Sequence, residues 1–225
     1  YYKDGEAVTV TAIAGNLLTL DRPLKVQYLG VNTDEVSATR SGAVTINGLS
    51  TDTSGIFGLG LRLLTKLNFD LNSIVTNHAE ADSSLWIDRC VNVRGNFKLV
   101  SNNAVTISGS NYGVSVANSQ DVYIEGILAH GLRHGTATGG SEIQGGIPCR
   151  NIVFNVRDIT NVVSVNQHAA DFHGNTIDSK YINCTVNGPI SLGGKNNAFI
   201  GGSFEAQLKT VAHNLSEWWG GEQRI

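Results

Sequence analysis

The feature that most constrains this chain is a short strand-like word that keeps returning. Clear copies are Val44-Thr45-Ile46-Asn47-Gly48, Val91-Asn92-Val93-Arg94-Gly95, Val122-Tyr123-Ile124-Glu125-Gly126 and Ile152-Val153-Phe154-Asn155-Val156. Tyr181-Ile182-Asn183-Cys184 and Phe199-Ile200-Gly201-Gly202 follow, and Leu67-Asn68-Phe69-Asp70-Leu71 fits more loosely. With Ile46, Phe69, Val93, Ile124, Phe154, Ile182 and Ile200 as markers, successive spacings are 23, 24, 31, 30, 28 and 18. A β-solenoid tolerates such drift, because extra residues leave as loops while strands stay stacked. A second word precedes the marker in several turns. Gly113-Val114-Ser115-Val116 lies before Val122 across Asn118-Ser119-Gln120, and Pro189-Ile190-Ser191-Leu192 lies before Ala198 across Gly193-Gly194-Lys195-Asn196. Period-two alternation divided by Asn, Gly and Ser turns is how stacked strands are written.

Other architectures fit less well. A βαβ fold needs amphipathic helices between strands, but the connecting segments are rich in Gly, Asn and Ser. A β-sandwich does not need aligned copies of one word. The expected fold is therefore all-β, a right-handed parallel β-helix. An N-terminal hairpin, Glu6 to Thr11 and Leu17 to Leu20 around Gly15-Asn16, would fall in a capping segment over 1–40. The solenoid would occupy 41–204. Over 205–225, Leu208, Val211, Ala212, Leu215 and Trp218 have helical spacing with Gly220 as a cap. This predicts a short C-terminal helix, or one more irregular turn.

Composition removes several functions. Of 225 residues, 41% are hydrophobic and 16% charged, which excludes the disordered class. Net charge is −3, and no Lys/Arg run occurs, so no nucleic-acid partner is expected. No apolar run reaches the roughly 18–20 residues that cross a bilayer as a helix, so no membrane insertion is expected. Methionine is absent and the chain opens on Tyr1, so it reads as a piece of a longer protein. Cys90, Cys149 and Cys184 are odd in number and widely spaced, so they read as buried apolar residues. No metal ligand set and no cofactor is read. Asp and Asn lack EF-hand spacing, which leaves calcium without support.

These words resemble a known group. The Val114 to Gly126 segment, with Asn-Ser between strands, resembles the pectate-lyase-like β-helices. Phe172-His173-Gly174 followed by Tyr181 to Val186 is similar to bacteriophage tailspikes and related appendages, and Asp21-Arg22-Pro23-Leu24 after the hairpin adds to the likeness. The resemblance implies a homotrimer on a virion tail or an extracellular protein. It implies binding, and often cutting, of bacterial surface polysaccharide. It carries over no catalytic residue.

Polysaccharide cleavage requires carboxylates, or a base with a cationic stabiliser. Two places qualify. The insertion after Ile124 carries His130, Arg133 and His134, then Glu142, in a glycine-rich stretch. Its cations would suit an acidic sugar, and a His carries protons near neutral pH. The plain alternative is a polar loop. The second place is His168-Ala169-Ala170-Asp171-Phe172-His173. Alternation puts Asp171 and His173 on one side, roughly 7 Å apart at about 3.3 Å per residue. Glu142 lies 12 residues before Phe154 and Asp171 lies 11 before Ile182, which would stack the two carboxylates on adjacent turns. Roughly 5 Å of strand spacing would suit a retaining glycosidase, though a one-residue slip reverses a side chain. Trp218 and Trp219 would offer faces to sugar rings, or form an end or subunit contact. Trp86, next to Leu85, reads as packing. Three readings stay open: a depolymerase using Asp171, His173, Glu142 and His168; a binding protein without catalysis; a structural spike segment.

Overall fold

The structure, a computed structural model, describes residues 10–15, 17–22, 42–107, 110–139, 148–162, 167–205, 208–209, 217–219 and 222–224. Among these the chain is all β. The recurring words form the long sheet of a right-handed parallel β-helix. Its strands stack in the order Val44–Thr53, Thr65–Thr76, Val91–Asn102, Gln120–Gly131, Cys149–Asn161, Lys180–Ile182, Ala198–Ile200 and Glu217–Trp219. The second words form a shorter sheet, from Leu59–Arg62 through Ser83–Asp88, Tyr112–Ala117, His134–Gly139, Ala170–Phe172 and Ile190–Leu192 to Leu208–Lys209. Every rung in both sheets is parallel to the next.

The rungs close on themselves through corners that need left-handed backbone. Lys66, Asn92, Asp121 and Asn151 take φ of 55, 57, 56 and 54° at the start of successive long-sheet strands. Asn and Asp accept this region more readily than other residues with a Cβ. Here they also brace one another, because Asn151 Nδ2 donates to Asp121 Oδ1 at 2.8 Å. In later turns the long strand breaks at Asn183, φ 54°. Lys180–Ile182 and Thr185–Asn187 both pair with the unbroken Cys149–Asn161.

The interior is a continuous apolar column. Phe154 stacks on Tyr181 with centroids 5.4 Å apart, and Phe172 stacks on Tyr181 at 4.3 Å. Phe199 and Phe204 continue the column at 5.5 Å. Tyr181 is fully buried, and its hydroxyl meets Thr136 Oγ1 at 3.2 Å. The three cysteines are buried and free.

The markers need correction in two places. Ile46 stacks on Phe69 and Phe69 on Gly95, not on Val93. The Phe69 ring occupies the space a side chain at residue 95 would need, since a Cβ there would lie 2.0 Å from Phe69 Cζ. Phe154 stacks on Tyr181, one residue before Ile182. The C-terminal helix is also corrected. Leu208–Lys209 and Glu217–Trp219 are strands, paired with Ile190–Ser191 and Ala198–Ile200. Helical apolar spacing lost to the parallel edge offered by the preceding turn, which satisfies backbone groups a short helix end leaves open. Val211, Ala212 and Leu215 lie outside the described residues. The hairpin forms between Val10–Ala14 and Leu17–Leu20, antiparallel; 1–9 and 23–41 of the expected cap lie outside the described residues.

Candidate functional site

On the short sheet, Ala170 and Phe172 join the core, so alternation turns Asp171 to the outer face. Its rung neighbours are Ala137 and Ser191, with Ser115 beyond Ala137. Small side chains therefore flank one carboxylate. Three imidazoles converge on its Oδ2: His173 Nε2 at 3.3 Å, His134 Nε2 at 3.5 Å and His168 Nδ1 at 3.5 Å. Asp171 and His134 are nearly inaccessible, with side chains 10% and 2% exposed. The His173 side chain is 35% exposed and faces outward from the group.

His134 is held from two sides. The Tyr112 ring lies 4.7 Å from its ring, and its Nδ1 hydrogen-bonds the His168 carbonyl. A carbonyl only accepts, so Nδ1 carries the proton and Nε2 offers a lone pair whenever the ring is neutral. Burial pushes the imidazole down to about 4, against the opposing pull of Asp171, while His173 and Arg133 push the same way as burial. Asp171 behaves in the opposite sense. Burial alone would raise its carboxyl. The neighbouring imidazoles of His168, His173 and His134 outweigh that and hold it well below the usual carboxylate range. The centre is a buried anion facing an outward imidazole, an arrangement that orients a proton carrier.

Of the residues singled out from sequence, Asp171, His173, His168 and His134 come together. The sequence groups His134 with an insertion after Ile124, whereas residues 130–139 form a strand end, a corner and a strand. His130 and Gly131 end the strand Gln120–Gly131, Leu132 and Arg133 make a corner, and His134 opens the strand His134–Gly139. The corner delivers His134 to Asp171 from the neighbouring turn. Arg133 stays close, its Nε donating to Gln167 Oε1 at 3.1 Å and its guanidinium 5.8 Å from the Tyr112 ring. His130 is elsewhere, with Nδ1 2.8 Å from Thr160 Oγ1 on the long sheet. The rung partner of Asp171 is Ala137, not Glu142, which lies outside the described residues. Counting back from Ile182 misled because the true stacking position is Tyr181 and the loop lengths differ. Trp218 and Trp219 occupy a long-sheet strand, on the rung after Phe199 and Ile200. Trp86 does not enter the core beside Leu85. It points the other way, stacked with Phe57 at 5.5 Å and under the Arg62 guanidinium at 4.6 Å.

A second region was missed. The outer face of the long sheet holds a shallow cleft of about 380 Å³, lined in part by Asp70, Arg94, Asn96, Tyr123 and Glu125. An adjoining cleft of about 350 Å³ shares Asn96 and Glu125 and adds Asn155, Arg157 and Asn183. Asp70, Asn96, Glu125 and Asn155 occupy one register position on four successive strands. Two bonds cross the rungs, Asn96 Nδ2 donating to Asp70 Oδ1 at 3.0 Å and Asn155 Nδ2 to Tyr123 Oη at 3.3 Å, while within one strand Tyr123 Oη donates to Glu125 Oε1 at 2.6 Å. The sequence held the signal, because Asp70, Glu125 and Asn155 each directly follow a marker.

Comparisons with known proteins agree with this architecture. Two solved structures resemble the chain. One is the tailspike protein gp49 from Pseudomonas phage LKA1, at 24% identity and TM-score 0.61, covering 91% of this chain and 37% of that one. The other is the tailspike gp61 from Pseudomonas phage phi297, at 18% identity and TM-score 0.68, covering 96% and 38%. The chain thus spans less than two-fifths of either tailspike. No curated protein matches. The family model described as Gp49, pectin lyase-like matches residues 80–225. From the first repeated words to the stacked rungs and this match, the chain belongs to the Gp49 pectin lyase-like family.

Proposed function

We propose that this chain is part of a phage tailspike, carried on the virion, that binds and degrades a bacterial surface polysaccharide. The observation that carries the reading is the buried Asp171 carboxylate with three imidazoles on one oxygen. His173 is the proton carrier, since it is the most exposed of the three. Asp171 orients it and balances its charge, and His168 holds the carboxylate from the other side. Arg133 supplies the cation that an acidic sugar needs at the margin of the site. This division of labour serves a hydrolase, which protonates a leaving oxygen, and equally a lyase, which removes a proton beside a carboxylate. The tailspike likeness supports a homotrimer as the working form.

A second reading is favoured by the long-sheet cleft: a receptor-binding segment that does not cut. Amides, Arg94 and the Tyr123 ring suit hydroxyl-rich chains, and the cleft follows the solenoid axis as a linear polymer would. The test is gel filtration of host surface polysaccharide incubated with the protein, with Asp171→Asn and with Glu125→Gln. Small fragments from wild type and Glu125→Gln, but not from Asp171→Asn, support cleavage at the short sheet. Their new ends separate hydrolysis from elimination. Co-elution of intact polymer with all but the cleft variant would replace cleavage with binding.

A further inference from the structure

We propose that His134, Asp171 and His173 form a binding site for one divalent transition-metal ion, zinc being the best match. This does not rest on the cleavage reading: with an ion bound, His173 is a ligand and not the proton carrier assigned to it above. Among the described residues, these three are the group whose ligand atoms all lie within 4.8 Å of one another.

The separations fit an ion better than they fit hydrogen bonds. His173 Nε2 and His134 Nε2 lie 3.3 and 3.5 Å from Asp171 Oδ2. A charge-assisted N–H···O bond closes to about 2.7–2.9 Å. Ligands about 2.0–2.2 Å from a tetrahedral centre stand about 3.3–3.5 Å apart. The two contacts are therefore long for ion pairs and right for edges of a coordination tetrahedron.

The second observation is independent of the spacing. His134 Nε2 is fully buried and has no hydrogen-bond partner. Its other nitrogen is committed to the His168 carbonyl. A neutral ring thus aims a lone pair at a carboxylate oxygen, which also offers lone pairs. Such a buried, unpartnered acceptor is costly, and a cation between the two atoms removes the cost. The carbonyl bond is itself the outer-sphere device that fixes a ligating His in the required tautomer. His168 Nδ1, 3.5 Å from the same oxygen, orients the carboxylate from outside. Three protein ligands would leave one position of a tetrahedral ion for water or substrate.

The sequence marks Asp171 and His173 together but does not join His134 to them. Two ligands stand two residues apart and the third comes from the preceding turn, so no motif spacing links them.

The experiment uses the full chain, stripped with chelator and dialysed, without polysaccharide. Cobalt(II) is titrated and followed by visible absorption, and zinc is titrated by calorimetry. The expected result is one ion per chain at micromolar or tighter affinity, with intense tetrahedral cobalt bands that zinc abolishes. Outer partners of metal sites are worth about 10–100-fold in affinity, so His173→Gln and Asp171→Asn should each weaken binding by about 100-fold or more. Half-buried His78, which is not one of the three ligands, serves as a control, and His78→Ala should leave binding unchanged. His134→Gln is a third variant; if it does not fold, the other two still decide. No cobalt bands in wild type, or bands unaffected by both His173→Gln and Asp171→Asn, would overturn the proposal. Because no sugar is present, loss of metal binding and loss of cleavage are read separately.

Discussion

The two outer faces of this solenoid are built on the same rungs and are chemically unlike. On the short sheet, polar groups are drawn inward onto one buried carboxylate. Asp171 is held as an anion by imidazoles from two turns, and small neighbours at Ala137 and Ser115 leave room beside it. On the long sheet, Asp70, Asn96, Glu125 and Asn155 form an exposed ladder in which Asn96 bonds Asp70, the Tyr123 hydroxyl joins Glu125 to Asn155, and water reaches most of them. The lesson is one of dielectric. Burial turns a few contacts into large shifts of proton affinity, whereas water screens interactions between exposed charges. The proposed chemistry lies on the first face, and the alternative reading, recognition without cleavage, lies on the second.

The contrast can be broken most directly at Asp171. Positioned proton transfer is worth about 10²–10⁴-fold, so Asp171→Asn should lower polysaccharide cleavage by about that factor, measured as new chain ends per minute. Equal loss in Glu125→Gln would reverse the assignment of the two faces.

Removing support under the short sheet should do nearly as much damage to stability. Phe172 packs against both Phe154 and Tyr181, and truncating a buried Phe costs about 3–5 kcal/mol. Phe172→Ala should lower the midpoint of denaturant unfolding accordingly. Well below that midpoint, it should loosen Asp171 while leaving the long-sheet cleft in register. Ligand binding confined to the cleft should then survive.

Acid should act on the buried face first. His134 is neutral in the fold with its pKa lowered to about 4 from an unfolded value of 6.5. The unfolded chain therefore takes up a proton first. The stability this provides is complete above pH 6.5 and is lost as pH falls from 6.5 toward 4, by about 3 kcal/mol at 1.36 kcal/mol per unit. Asp171, lowered in the fold, adds stability present above its unfolded value and lost below it. Denaturant melts of chelator-treated protein at pH 7 and pH 4.5 should show the decline, and His134→Gln should flatten its upper part.

The smallest effects should come from the cleft. Tyr123→Phe removes the hydroxyl that joins Glu125 and Asn155, yet exposed substitutions usually stay within about 0.5 kcal/mol. Stability should hardly change. A loss above about 2 kcal/mol in a thermal melt would show that the ladder is structural.

The repeated word was enough for the fold because stacking is written locally. Each turn needs the same inward apolar positions and the same Asn, Asp or Ser corner, so copies such as Val122 to Gly126 and Ile152 to Val156 stack in the register their spacing implies. Asp171 and His173 were legible together for a related reason, since a two-residue spacing along one strand needs no knowledge of its neighbours. What the sequence by itself determined was the period-two rule and the turn chemistry. Only the tertiary structure decided which rung meets which. It placed Phe69 over Gly95, set Ala137 beneath Asp171 and brought His134 through a corner to the same carboxylate. It also paired Leu208–Lys209 and Glu217–Trp219 as strands on the preceding turn. Register between turns depends on loop lengths and on which ring fills which gap, and those are properties of the stacked column that no single turn contains.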